Sequence, residues 1–72
     1  MTLKELIQRE NKRIKKLPVG KQESARKELR EWICCYSIAK QLDYPKGIIE
    51  RILNADNVIQ ANNIMVDARR TY

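Results

Sequence analysis

Residues 35–54 read Cys-Tyr-Ser-Ile-Ala-Lys-Gln-Leu-Asp-Tyr-Pro-Lys-Gly-Ile-Ile-Glu-Arg-Ile-Leu-Asn. Two apolar helical patterns meet here across a break of about two residues, Asp43-Tyr44. Ala39 is small enough to let two helix backbones approach. Leu42 stands just before the turn, and Ile49 and Ile52 recur at helical spacing after it. Pro45 suits the first turn of a new helix and holds Tyr44 extended. The stretch therefore predicts a tight helical corner, with one helix ending near Leu42 and another covering 45–54.

Working outward, the rest of the chain reads as helix too. Thr2 and Glu5 have capping-box spacing ahead of a helix over 3–17. Leu3, Leu6, Ile7, Ile14 and Leu17 share one face of it, until Pro18 and Gly20 end the segment. A second helix over 21–42 carries the narrow stripe Ala25, Leu29, Trp32, Tyr36, Ala39. Glu23–Lys27 and Lys27–Glu31 have i,i+4 pairing on its exposed side. Past Trp32, the added Ile33, Cys34, Cys35, Ile38 and Leu42 suggest that this half is surrounded and central. In the third helix Ile48, Ile49, Ile52 and Leu53 form the inward face. Asn54 or Asp56 is placed to cap a fourth helix over 57–70. There Val58, Ala61, Met65, Ala68 and Tyr72 repeat at three-four spacing, with Ile59 and Val66 as a second strip. The expected fold is all-α: one domain over 1–72, a compact bundle of three to four helices with a helix-turn-helix-like corner.

Composition restricts the chemistry. The chain has 72 residues, 43% of them hydrophobic, which suffices for one core but not for a core and a deep catalytic cleft. It has no His, removing the usual general base and the commonest nitrogen metal ligand. The only two cysteines, Cys34 and Cys35, are adjacent and too few for a zinc site. They read as buried or half-buried apolar residues of a reducing compartment. The two glycines form no phosphate-binding loop. These features argue against an enzyme, and no cofactor, metal or small-molecule substrate is expected. No stretch is apolar enough for a membrane span or signal peptide, so a cytoplasmic location and no membrane partner are expected.

The formal net charge is +6 and unevenly distributed. Residues 2–17 hold six bases against two acids, whereas 18–43 hold five against four and 44–72 hold four against three. A basic first segment can attract nucleic acid.

On these residues, 35–54 resembles the helix-turn-helix of bacterial and phage repressors, in which an Ile-Ala-x-x-Leu segment precedes a turn and a short recognition helix. The one departure is Asp43, where repressors usually place Gly; Asp enters the left-handed region more easily than most residues. The resemblance implies that helix 45–54 enters the major groove of duplex DNA, with Lys46, Gly47, Glu50, Arg51 and Asn54 facing the bases. Lys12, Arg13, Lys15 and Lys16 would contact phosphates. A dimer, or a different protein partner, would use Ile59, Met65, Val66 and Tyr72. The function expected is a small DNA-binding regulator, of a size and charge suited to phage or mobile-element genes. The alternative is a non-enzymatic interaction module, an adaptor or inhibitor docking through the fourth helix.

Overall fold

In the computed structural model, which describes residues 1–72, the chain forms four α-helices and no strand: α1 (Leu3–Lys15), α2 (Val19–Gln41), α3 (Lys46–Asn54) and α4 (Val58–Thr71). The all-α bundle expected from the periodicities is present. Helix α1 starts in a complete capping box. Thr2 Oγ1 accepts from the Glu5 amide at 3.2 Å, and a Glu5 carboxylate oxygen accepts from the Thr2 amide at 3.3 Å.

Boundaries shift by a turn or less, for local reasons. Helix α1 stops at Lys15, two residues before Leu17, and Pro18 sits at the N-cap of α2, so α2 begins at Val19. Pro45 likewise occupies the N-cap of α3, one position ahead of the first helical turn. The cap of α4 is Asn57, whose Oδ1 accepts from the Gln60 amide at 2.9 Å, in place of Asn54 or Asp56.

Helix α2 is the axis of the molecule. It packs against each of the other three helices, and α3 packs against α4. The main core joins Leu6 of α1, Trp32, Cys35 and Ala39 of α2, Ile52 and Leu53 of α3, and Val58, Ala61, Met65 and Ala68 of α4. Ala39 and Ala61 are fully buried, their small side chains permitting close helix approach. A smaller cluster of Ile14, Ala25 and Leu29 joins the end of α1 to the first half of α2. The molecule is accordingly elongated, 39 × 20 × 18 Å.

Two expectations about α2 are corrected. Its second half is not surrounded: Cys34 is exposed, and Ile38 and Leu42 are 40% and 54% exposed. All three partner helices pack on one side of α2, leaving the Cys34–Ile38–Leu42 side open. Nor do the Glu23–Lys27 and Lys27–Glu31 pairs close, since the only ion pairs within 4.0 Å are those of Glu10 with Arg9 and Arg13. No helix is long and apolar enough to cross a membrane.

Candidate nucleic-acid interface

The corner between α2 and α3 is closed by backbone hydrogen bonds. The Tyr44 amide donates to the Ala39 carbonyl at 3.1 Å, and the Asp43 amide donates to the Lys40 carbonyl at 3.2 Å. This nested pair is a Schellman ending, which requires a left-handed residue between helix and turn. Asp43 supplies it, with φ of 54°, and is the only non-glycine residue of positive φ. Tyr44, two residues past the cap, is buried beside Ala39 in the main core. The apolar anchor of the turn is therefore Tyr44, whereas Leu42 points outward.

Helix α3 is fixed from below. Ile52 and Leu53 are buried, and Ile48 and Ile49 are half-buried against the same core. The indole Nε1 of Trp32 donates to the Ile52 carbonyl at 2.7 Å, inside the core. That bond uses one of the last carbonyls of α3, which have no partner within the helix.

With one face pinned, the opposite face is free. Lys46, Gly47, Glu50, Arg51 and Asn54 are all exposed, so the five residues read as groove-facing share one solvent-facing side of α3. A Cβ at Gly47 would meet nothing within 4 Å, so no packing contact inside the chain demands a glycine there. The amides of Lys46 and Gly47 have no acceptor in the chain, and Pro45 offers no side-chain cap. They point outward from the helix start, where backbone N–H groups and the helix dipole favour an anion. The face carries two cations and one carboxylate, Glu50, so its own charge is only weakly positive.

The phosphate-contacting residues expected on α1 are not gathered beside the start of α3. Met1, Thr2 and Leu3 lie by Lys46 and Glu50, lining an open groove of about 460 Å³ with Tyr36 and Lys40. Lys12, Lys15 and Lys16 stand at the other end of a 13-residue helix, which spans roughly 20 Å. These three lysines are exposed and unpaired.

Arg13 differs from them. Its Nη2 and Nε donate to Glu10 Oε1 at 2.9 and 3.1 Å, while Arg9 Nε donates to Glu10 Oε2 at 3.3 Å. Glu10 is 6% exposed, the only buried charged residue. The Arg9 guanidinium also lies 5.6 Å from the Trp32 ring centroid. Arg13 is thus committed in part to an internal partner, and its value as a free phosphate contact falls. Sequence reasoning missed the Arg9–Glu10–Arg13 cluster, and missed Lys40 as a neighbour of Lys46. The i,i+3 spacing of Glu10 and Arg13 was the one visible signal.

The expected partner face on α4 divides. Met65 is 6% exposed and belongs to the core, because its three-four stripe is the one α4 turns toward α2 and α3. Tyr72 is 63% exposed, with its ring centroid 6.0 Å from that of Tyr44. Ile59 and Val66 remain as exposed apolar residues, at 68% and 46%.

Both cysteines are free thiols. Cys34 is exposed, and buried Cys35 contacts Asn62 Oδ1 through Sγ at 3.0 Å. Burial, reinforced by the neighbouring Cys34 and Glu31, raises the Cys35 pKa above its ordinary 9.0. No group of three or more His, Cys, Asp or Glu side chains is arranged to hold a metal ion. No family model matches the chain, and neither a curated protein nor a solved structure matches it.

Proposed function

We propose that this chain is a small helix-turn-helix DNA-binding protein that reads duplex DNA with α3. The observation that carries the reading is the corner itself. Asp43 stands in the left-handed conformation where the resembled motif usually places Gly, and fully buried Ala39 stands at the helix crossing. Ile49 and Ile52 turn inward while five polar or small residues turn outward.

In this role Lys46 and Arg51 donate to guanine edges or phosphates, and Asn54 pairs with adenine or a phosphate oxygen. The open space at Gly47 admits close approach of the backbone to the sugar-phosphate chain. Glu50 accepts from a cytosine amino group and penalises other sequences. Lys12, Lys15 and Lys16, roughly 14–20 Å along α1 from its start, add long-range attraction to the phosphate backbone. The role is one of regulation by occupancy of a DNA site, and it needs neither cofactor nor metal.

A second reading has its own support. Exposed Ile59 and Val66 favour a protein-interaction module that docks through α4. Fluorescence anisotropy with mixed-sequence duplex, titrated at several salt concentrations, separates the two. Micromolar binding that weakens steeply with salt, and weakens further in Lys46→Glu or Arg51→Glu, supports DNA recognition. Absence of binding at low salt leaves the interaction module.

A further inference from the structure

The groove beside α3 holds a cation that the outward face of α3 does not include. Lys40 of α2 lines it together with Leu3, Tyr36, Lys46 and Glu50. Lys40 and Lys46 are both exposed, and neither forms an ion pair within 4.0 Å, since Glu10 is the only carboxylate so engaged. The backbone at Lys40 is fixed. Its neighbour Ala39 is fully buried at the helix crossing, and the Lys40 carbonyl accepts from the Asp43 amide at 3.2 Å. The corner therefore sets where Lys40 stands relative to α3, and only its side chain is free to move.

Packed helices lie about 8–10 Å apart, axis to axis. The major groove of B-DNA is about 12 Å wide, so a helix centred in it has a phosphate-lined wall about 6 Å to either side. A lysine on the rim of α2, with a flexible four-carbon stem able to reach back toward α3, stands at the spacing of one such wall. Lys12, Lys15 and Lys16 do not, being roughly 14–20 Å along α1 from its start. We infer, on the reading that α3 enters the major groove, that Lys40 contacts a backbone phosphate of the strand running past the Lys46–Glu50 edge of α3. Glu50 lines the same groove and repels a phosphate there. Lys40 offsets that charge where the backbone passes closest, so α3 can carry a carboxylate on its groove-facing side. The contact fixes position on the duplex and carries no sequence information, which is left to the outward residues of α3.

Anisotropy titrations of the full chain with several duplexes of different sequence, each over a range of salt, test this role. Lys40→Ala is expected to weaken binding to every duplex alike, by about five- to ten-fold near 0.1 M salt, and to lower the log–log salt slope by about 0.9. Lys40→Arg keeps the wild-type slope. Lys12→Ala, at the far end of α1, lowers the slope by less than Lys40→Ala does. Lys40 and Lys12 are exposed, and circular dichroism verifies that the variants keep their helices. A Lys40→Ala slope equal to that of the wild type overturns the assignment of Lys40 while leaving DNA reading by α3 in place. So does an equal fall in Lys12→Ala, which would make the effect one of net charge alone. A wild-type chain that binds no duplex at low salt overturns the reading of α3 itself, and the role of Lys40 with it.

Discussion

Trp32 of α2 donates its indole N–H to the Ile52 carbonyl of α3 at 2.7 Å in the buried core. Both residues are almost wholly buried, at 2% and 0% exposure. The bond anchors the C-terminal turn of α3, while the Schellman ending at Asp43 sets its start. Between these two fixed points α3 has little freedom to roll, so its outward face keeps one orientation.

Replacing Trp32 with Phe removes the donor and leaves the Ile52 carbonyl with only the longer Ala55 amide contact at 3.4 Å. The ring that Arg9 covers also shrinks. We expect a loss of about 2 kcal/mol from the lost indole hydrogen bond and poorer packing, read as a lower urea midpoint. An unchanged midpoint would show that the bond does not hold α3.

The corner makes its own prediction. Asp43→Gly removes the side-chain penalty of positive φ and is expected to be neutral or to stabilise by up to about 1 kcal/mol. Asp43→Val forces a β-branched residue into the left-handed region and is expected to destabilise by about 1–2 kcal/mol. Thermal melts of the two variants decide it, and equal melting temperatures would show that position 43 does not depend on the left-handed conformation.

Glu10→Gln tests whether the buried carboxylate restrains two arginines. The partners are 42% and 50% exposed, so solvent screens the pairs and the expected loss of stability is small, about 1 kcal/mol. Releasing Arg9 and Arg13 raises the net charge by one and frees Arg13 for phosphate. Affinity for duplex DNA is therefore expected to rise, with a steeper salt dependence. Weaker DNA binding in a folded variant would contradict that assignment.

How much of this was legible in the chain differs by element. The recurrence of Leu3, Leu6, Ile7 and Ile14 on one helical face, and the three-four spacing of Val58, Ala61, Met65 and Ala68, encode helix and inward face together. Thr2 and Glu5 announce a local hydrogen-bond pattern, so the capping box was readable too. The outward set on α3 followed from Ile48, Ile49, Ile52 and Leu53 alone. What spacing does not encode is which neighbour covers a given face. Ile38 and Leu42 look like core residues by hydropathy, yet no helix lies over them. Glu10 looks solvated by chemistry, yet it is buried with two guanidiniums folded over it. The separation of Lys12–Lys16 from the start of α3 depends on α1 running the length of the hairpin, a tertiary fact.

The thiols should react in order. Exposed Cys34 is expected to take up an alkylating reagent at neutral pH well before Cys35, whose buried thiol is held protonated by desolvation. Because folding raises the Cys35 pKa, the unfolded chain releases this proton first. The stability contribution is complete below the ordinary value of 9.0 and is lost as pH climbs through the raised folded value. Mass spectrometry of a timed alkylation checks the order, and simultaneous labelling of both would contradict it.

The most direct test of DNA reading by α3 is amide chemical-shift mapping of isotope-labelled protein on addition of duplex DNA. The largest shifts are expected at Lys46, Gly47, Glu50, Arg51 and Asn54, with smaller ones at Lys12, Lys15 and Lys16. Shifts confined to α4 around Ile59 and Val66, or no shifts at low salt, would contradict it.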